Sequence, residues 1–253
     1  MRFASLGSGS KGNCSVVASD STSIMVDCGF SYKDVTTRLK RLDVDPDALA
    51  AIIVTHEHSD HVSGVEALST RHAIPVYASR GTWIEIDANK YKFINHIDGL
   101  FSIGDISITP IPVPHDAREP LQFVFGCSGK RLGLLSDLGS ISARVLNAFT
   151  ELDAISVEFN HDISLLQHGP YPSYLKTRIS GDFGHLNNDQ AAKLIELIAS
   201  DRLHTVVACH ISETNNEVAL VNKILESVLK NREIEYLIAS QSEGFNWISV
   251  ERR

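Results

Sequence analysis

Three His and one Asp lie within six positions of this sequence: His56, His58, Asp60 and His61. Imidazole nitrogens and carboxylate oxygens are ligands that zinc, iron and manganese accept in proteins. The chain has 11 His in 253 residues, and composition alone would produce such a cluster in about one chain in a thousand. A solvated His-rich turn is the alternative, but unpaired histidines repel one another when protonated and gain little from packing. The cluster therefore predicts a metal site.

The surrounding residues predict which of these four side chains can reach the same metal centre. The all-apolar run 51–54 precedes them and is typical of a strand buried on both faces. His56 and His58 are two apart on the extended piece that follows, so they can point to the same side. Asp60 and His61 fall at the start of the next predicted helix, from which they can reach a second centre.

Three further candidates, His115, Asp137 and His210, each follow a predicted strand. Loops at strand ends are where a rigid sheet presents chemistry. A carboxylate such as Asp137 can bridge two cations and leave room for a shared water. Each of these residues alone is a weak signal, and they gain weight from the cluster at 56–61.

His185 competes with His210 for the last ligand position. A buried apolar run precedes His210, whereas the residues before His185 do not have the pattern of a strand. We therefore expect His210 to bind metal, and His185 to lie on the substrate side, near a phosphate or a leaving group.

Four other polar residues are candidates for binding substrate. Asn160 and His161 follow a predicted strand and could line a cleft, although helix capping accounts for them equally well. Lys176 and Arg178 lie in a predicted helix and could supply local positive charge for a phosphate. A solvated helix face is the alternative for this pair.

The elements that must position these residues alternate between strands and helices, which predicts one α/β (α+β) layered domain over residues 1–253. Ser31 is a predicted N-cap for a helix over 32–42. Apolar residues at 3.6-residue spacing predict helices over 188–199 and 216–229. The remaining predictions are helices over 62–72 and 81–89, and a closing pair of strands over 234–239 and 244–250.

Composition excludes several classes of protein. With 43% apolar residues, the chain can bury a substantial core. Lys+Arg 23 against Asp+Glu 31 gives a net charge of −8, so the protein would not coat nucleic acid or an anionic membrane non-specifically. The four Cys contain no C-x-x-C pair and the N-terminus has no apolar signal segment, which favours reduced thiols and a cytoplasmic protein. No window approaches the roughly 18 apolar residues of a membrane span.

The order of the candidates, His56-x-His58-x-Asp60-His61 and then His115, Asp137 and His210, resembles the metallo-β-lactamase-fold hydrolase superfamily across essentially the whole chain. The resemblance implies a four-layer αβ/βα sandwich with two divalent metal ions, Zn²⁺, Mn²⁺ or Fe, at one edge between the sheets. In that family pattern Asp137 bridges the two ions and a shared water of lowered pKa performs hydrolysis, with Asp60 or Asp137 orienting it. The implied ligands of the first ion are His56, His58 and His115, and those of the second are Asp60, His61 and His210.

A narrower resemblance is to the YycJ/WalJ-type bacterial branch. It rests on the opening Leu6-Gly7-Ser8-Gly9-Ser10-x-Gly12-Asn13 and on the runs 158–162, 184–188 and 210–216. One departure is Asn187, where the branch pattern has Ser. The branch implies a metal-dependent phosphodiesterase, in particular a 5′→3′ DNA exonuclease linked to DNA repair, with DNA as substrate. In such a reaction we expect His185 or a metal-bound water to protonate the leaving group.

Three other functions are compatible with this ligand set. A cytosolic thioester or lactone hydrolase would use the same metal site on another substrate. An iron-bearing redox relative would usually carry a flavin-binding domain, for which 253 residues leave little room. A non-catalytic metal-binding protein is disfavoured because every expected ligand position is filled.

Overall fold

Two β-sheets dominate the computed structural model, which describes residues 1–251. Within these residues the strands form two seven-stranded sheets. The strands are β1 (Arg2–Gly7), β2 (Cys14–Ala18), β3 (Ser23–Val26), β4 (Ala51–Ile53), β5 (Val76–Ala78), β6 (Ile94–His96), β7 (Phe101–Ile103), β8 (Ile106–Pro112), β9 (Leu121–Cys127), β10 (Lys130–Leu135), β11 (Ala154–Glu158), β12 (Thr205–Cys209), β13 (Glu235–Ile238) and β14 (Phe245–Ser249). The first sheet has the order β14-β1-β2-β3-β4-β5-β6, and the second has the order β13-β12-β11-β10-β9-β8-β7.

Helices connect many of these strands, and several have the caps that the sequence predicts. Ser31 caps the first helix, where its side chain accepts a hydrogen bond from the Asp34 N–H. No helix within residues 1–251 is long and apolar enough to cross a membrane. The helices are α1 (Tyr32–Arg41), α2 (Ser59–Val62), α3 (Val65–His72), α4 (Arg80–Glu85), α5 (Ala143–Ala148), α6 (Ile163–His168), α7 (Ser173–Ser180), α8 (Asn188–Ile198) and α9 (Val218–Val228), with short 3₁₀ turns at Pro46–Ala48 and Ala88–Lys90.

Alternation of side chains along single strands produces the layers. Ile53 and Val207 pack in the core between the two sheets. Their neighbours point the opposite way, because successive side chains of a strand face opposite sides. Ile52 packs with residues of α1 and α3, and Val206 packs with residues of α8 and α9. Each sheet therefore faces the other sheet on one side and helices on the other, which is the predicted four-layer αβ/βα sandwich.

The predicted closing pair of strands is wrong as a pair. β13 joins the second sheet, parallel to β12, whereas β14 joins the first sheet, antiparallel to β1. An isolated bridge between Ser240 and Gly244 marks the turn that carries the chain from one sheet to the other. The apolar pattern identifies both segments as strands but holds no information about which sheet each one completes.

Of the helix predicted over 62–72, residues 65–72 form α3, while Val62 ends the preceding short helix α2. The helix is interrupted at Gly64, whose N–H donates to the Cys28 carbonyl at 2.8 Å. A Cβ at Gly64 would lie 2.1 Å from the Phe30 carbonyl oxygen, so the backbones approach here as only glycine allows. The helix predicted over 81–89 ends as α4 at Glu85, and a 3₁₀ turn follows it.

The cysteines at positions 14, 28, 127 and 209 are buried free thiols. Burial raises the pKa of the Cys209 thiol to about 12, so this residue next to His210 stays protonated at neutral pH. It packs in the core between the sheets.

Candidate metal centre

The carboxyl ends of three parallel strands bring metal-capable side chains to one edge of the second sheet. In β10, β11 and β12, Leu135 pairs with Val157, and Val157 pairs with Ala208. Asp137, Glu158 and His210 follow directly in these strands or in the residues just beyond them. Parallel register therefore places the three at the same edge. The segment 55–61 follows β4 of the first sheet and meets this edge.

One cluster contains His56, His58 and His115. The Nε2 atom of His56 lies 3.0 Å from Nδ1 of His58, and that Nδ1 lies 3.3 Å from Nε2 of His115. His56 and His115 are buried, and His58 is half-buried. The outer nitrogens contact oxygen atoms: His115 Nδ1 donates to the Gly184 carbonyl at 3.0 Å, and His56 Nδ1 lies 2.9 Å from Thr55 Oγ1.

The tautomer of His56 follows from its partner. Thr55 Oγ1 donates its proton to Asp27 at 2.8 Å, so it can only accept from His56 Nδ1. Burial, with His61 adding to it, holds the pKa of His56 well below its ordinary value, and burial also lowers the pKa of His115. Both rings are therefore neutral and present an Nε2 lone pair towards the interior of the cluster.

A second cluster surrounds Asp137. Its Oδ2 atom lies 3.2 Å from His61 Nε2, and Asp60 Oδ2 lies 3.5 Å from the same nitrogen. His210 Nε2 lies 3.9 Å from Asp60 Oδ2, while its Nδ1 lies 2.9 Å from both the Ser136 carbonyl oxygen and Asp137 Oδ1. The outer nitrogen of His61 donates to Asp27 at 2.8 Å. This cluster therefore combines two carboxylates with two rings that are held from behind.

Charge in the second cluster is balanced between carboxylates and rings. Burial raises the pKa of the Asp137 carboxyl, but His210 and His61 outweigh burial and hold that pKa well below its ordinary value. Burial lowers the pKa of His61, and Asp137 with Asp27 outweighs it, so that the pKa lies well above its ordinary value. The buried carboxylates are thus stabilised by positive charge nearby, which either protons on the rings or a bound cation can supply.

The side chains fit divalent cations. Within residues 1–251, the Oδ2 atom of Asp137 is buried and has no hydrogen-bond partner. In the first cluster, ring nitrogens face one another at 3.0 and 3.3 Å, which leaves no room for protons on all of them. Rings whose outer N–H is tied to an oxygen, and whose inner nitrogen is free, are the usual arrangement of histidine ligands. Three sets of side chains lie close enough together to hold an ion. Two contain His56, one with His58 and His115 and one with His61 and Asp137, and the third consists of Asp137, Glu158, His185 and His210.

His185 is held by a buried carboxylate. Its Nδ1 atom lies 2.6 Å from Glu158 Oε1. The other oxygen of Glu158 accepts from the backbone N–H groups of Leu138 and Leu186 at 3.1 and 3.0 Å. Burial lowers the pKa of His185, but Glu158 outweighs it and raises the pKa. Glu158 thereby fixes the ring and leaves Nε2 for a ligand.

The two clusters open into a cavity of about 350 Å³. Asp60, Asp137, His185 and His210 are among the residues that line it. Tyr171, Leu175 and Arg178, from α7 and the loop before it, line it as well. A ligand in this cavity would therefore contact the candidate metal ligands, a held imidazole and a guanidinium group together.

The four predicted substrate residues divide into two groups. Arg178 lines the cavity and forms an ion pair with Asp116. Asn160 also lines it, and its Nδ2 donates to the His210 carbonyl at 3.2 Å, which supports the backbone of a candidate ligand. His161 is buried beside Asn160, and Lys176 donates to the Gln167 carbonyl at 2.7 Å. Neither of these last two is among the cavity-lining residues.

Asp27 and Glu158 are two residues of the site that were not among the candidates predicted from the sequence. Asp27 holds His61 and Thr55, and Glu158 holds His185. Asp27 directly follows β3 and Glu158 ends β11. Both carboxylates thus carry the strand-end signal that identified Asp137, and applying it to every strand would have found them.

Asn187 departs from the branch pattern without loss of a local function. Its side chain accepts from the Gln190 N–H, and the Gln190 side chain accepts from the Asn187 N–H, which completes a capping box at the start of α8. Asparagine and serine are both strong N-cap residues. The replacement is therefore explained by helix capping at this position.

Gly29 determines how closely the loop that carries Asp60 can approach. A Cβ on Gly29 would lie 1.7 Å from the Asp60 carbonyl oxygen. We expect Gly29→Ala to lower the free energy of unfolding by about 3 kcal/mol, because the backbone of Asp60 must move away. Urea unfolding of both proteins measures this loss. Gly99→Ala is the control, since a Cβ there would meet nothing within 4 Å; equal losses in the two variants would contradict the prediction.

His161 should make the protein less stable in acid. Burial lowers the pKa of His161 to about 4, whereas an unfolded histidine titrates near 6.5. Between these values the unfolded chain binds more protons, so stability falls as the pH falls through this window, by about 2 kcal/mol at pH 5. In unfolding curves from pH 7 to 5, His161→Gln should lose less stability than the wild type by this amount. The exposed-site variant His96→Gln should follow the wild type, and parallel curves for all three proteins would refute the prediction.

Both the sequence and the fold are similar to those of known proteins. A family model described as a beta-lactamase superfamily domain matches residues 22–211. The exodeoxyribonuclease YycJ of Bacillus anthracis is 32% identical over 238 residues, which cover 92% of this chain and 90% of that protein. The exodeoxyribonuclease WalJ of Streptococcus pneumoniae serotype 2 is 32% identical over 241 residues, covering 90% of each. The crystal structure of the metallo-beta-lactamase fold protein YhfI from Bacillus subtilis superposes with a TM-score of 0.75 at 16% identity, covering 98% of this chain and 99% of that chain.

Proposed function

Because the chain belongs to the metallo-β-lactamase superfamily, in the branch of the YycJ and WalJ proteins, we propose that this hydrolase is a binuclear metal-dependent phosphodiesterase that acts on DNA as a 5′→3′ exonuclease. The observation that carries the proposal is the position of Asp137, whose Oδ2 lies 3.2 Å from His61 Nε2 and whose Oδ1 lies 4.0 Å from His115 Nε2, in a cavity that Arg178 also lines. The curated relatives YycJ and WalJ, named exodeoxyribonucleases, support DNA as the substrate.

The proposed ligands divide as the two clusters do. His56, His58 and His115 would hold one divalent ion through their inner nitrogens, and Asp137 would serve as a ligand to both ions. When bound, a pair of divalent cations such as Zn²⁺ or Mn²⁺ provides Lewis-acid stabilisation of phosphoryl oxygens and a water of lowered pKa. The second ion's ligands are Asp60, His61 and His210.

The chain's own groups orient the substrate and move a proton. Arg178, which lines the cavity, binds a non-bridging phosphate oxygen in place of its present partner Asp116. Glu158 accepts the Nδ1–H of His185 and so presents Nε2–H to the leaving oxygen of the cleaved ester. The P–O bond to that oxygen breaks as the proton arrives, which releases an alcohol rather than an alkoxide.

Cleavage assays on reconstituted protein test the proposal. Protein stripped with a chelator should be inactive, and Mn²⁺ or Zn²⁺ should restore cleavage of a generic phosphodiester and of 5′-phosphorylated DNA. DNA labelled at one end or the other reports polarity, since 5′→3′ digestion releases the 5′ label first as a mononucleotide. Cleavage of a thioester or lactam with neither phosphodiester attacked would overturn the proposal.

A variant pair assigns the cleavage to this cavity. Asp60→Ala should lose activity while leaving the fold largely intact, because Asp60 lies at the cavity wall rather than in the core. The exposed variant Asp201→Ala should retain full activity. Unchanged turnover in Asp60→Ala would argue against catalysis at this place.

A further inference from the structure

The glycine-rich loop of residues 7–13 contacts the second cluster from two directions. On one side, Nδ2 of Asn13 lies 3.1 Å from Asp60 Oδ2 and 3.1 Å from His61 Nε2. On the other side, Ser8 Oγ accepts from the backbone N–H of His210 at 2.8 Å. Among the hydrogen bonds of residues 1–251, those of Asn13 and Ser8 reach all three of these residues. None of them reaches the three histidines of the first cluster.

The orientation of the Asn13 amide is fixed by the loop. Its Oδ1 accepts from the Gly9 N–H at 2.8 Å, and its Nδ2 also donates to the Gly9 carbonyl at 3.1 Å. The amide group of Asn13 can therefore present only a donor to Asp60. Gly9 has a φ of +143°, a backbone conformation that favours glycine, so the loop that holds Asn13 depends on this residue type.

The backbone of Asn13 is fastened to the same region as its side chain. Its N–H donates to the Asp60 carbonyl at 2.8 Å, and its carbonyl accepts from the Gly29 N–H at 2.9 Å. Asn13 is 5% exposed. Main-chain and side-chain contacts thus hold both ends of Asp60 from one residue, and small displacements of the loop are transmitted to that carboxylate.

We propose that Asn13 is the positioning residue of the second metal subsite and sets the affinity of that subsite for its ion. Donation from Nδ2 occupies one lone pair of Asp60 Oδ2 and aims the carboxylate towards His61 and His210. Hydrogen bonds of this kind to ligand residues commonly change metal affinity by about 10- to 100-fold. The subsite of His56, His58 and His115 has other outer partners, so it is independent of Asn13. This inference rests on the proposed binuclear site.

Calorimetric titration of metal-free protein with Zn²⁺ tests it. The wild type should bind two ions in resolvable steps. In Asn13→Ala one step should weaken by about tenfold or more, while the other changes by less than about twofold. Asn188→Ala is the matched control, because it removes a buried amide whose partner is Asn216 rather than a candidate ligand; both of its steps should stay as in the wild type. Titration with Co²⁺, read by visible absorption, repeats the measurement without relying on activity.

The outcomes separate this inference from the function on which it rests. Two ions in the wild type with both steps unchanged in Asn13→Ala, or with both weakened equally, overturn the role of Asn13 and leave the binuclear site standing. A single ion in the wild type overturns both. Thermal unfolding of the metal-free proteins shows any loss of stability in Asn13→Ala. A purely structural role would lower that midpoint without changing the ratio of the two affinities.

Discussion

Asp137→Asn should lower kcat/KM for phosphodiester cleavage by on the order of 10³-fold or more, because one side chain serves both clusters. Its Oδ2 lies 3.2 Å from His61 Nε2, and its Oδ1 lies 4.0 Å from His115 Nε2. The substitution keeps the size of the side chain but removes its negative charge and one acceptor. Transition-state stabilisation by metal ions is worth several kcal/mol, and about 4 kcal/mol corresponds to this factor.

Metal content shows whether the loss has the expected cause. Elemental analysis of Asp137→Asn should find fewer than the wild-type number of ions after equal exposure to Zn²⁺ or Mn²⁺. The exposed variant Asp201→Asn should match the wild type in both activity and metal content. Near-normal kcat/KM in Asp137→Asn would show that this carboxylate does not take part in the reaction.

His185→Gln should lower kcat by about 10²- to 10⁴-fold while leaving metal content unchanged, if its Nε2 protonates the leaving oxygen. The reason is geometric: Glu158 holds Nδ1 at 2.6 Å, and the ring lines the cavity without belonging to the proposed ligand set. Steady-state kinetics with two diesters give the sharpest measurement. A nitrophenyl leaving group needs little protonation, so its cleavage should fall far less than that of an alkyl or deoxynucleoside leaving group.

The comparison of leaving groups distinguishes proton transfer from metal binding. If His185 were a metal ligand in place of His210, both diesters would slow by the same factor and metal content would fall. His168→Gln removes an exposed histidine from α6 and should leave both rates unchanged. Equal slowing of the two substrates in His185→Gln therefore contradicts a role as general acid.

Much of the fold could be predicted, because the burial of apolar side chains determines both the local sequence patterns and the layers in which strands and helices pack. Apolar runs such as Ala51–Val54 predict strands buried on both faces, and the structure places them between helices and the opposing sheet. The order of the strands within the two sheets could not be predicted in this way. The segments β13 and β14 are neighbours in sequence, but they pair with β12 and β1 through contacts that local periodicity does not record.

Some residues of the candidate site could likewise be predicted from local sequence, and others could not. Residues that end strands, such as Asp137, could be proposed from the sequence because position and side-chain type coincide. Asp27 and Asn13 act through a ring nitrogen or a carboxylate of another residue, and such contacts depend on where separate loops meet. The interruption of the predicted helix at Gly64 also depends on a distant carbonyl, that of Cys28.

The pairing of β14 with β1 has a consequence for how the protein is made. The strand at the start of the chain keeps one edge unpaired until residues 245–249 have been synthesised. During translation the N-terminal half therefore carries an open edge whose free N–H and C=O groups can recruit other chains. A chain truncated before residue 245 would contain every proposed ligand but would leave this edge of the first sheet unpaired.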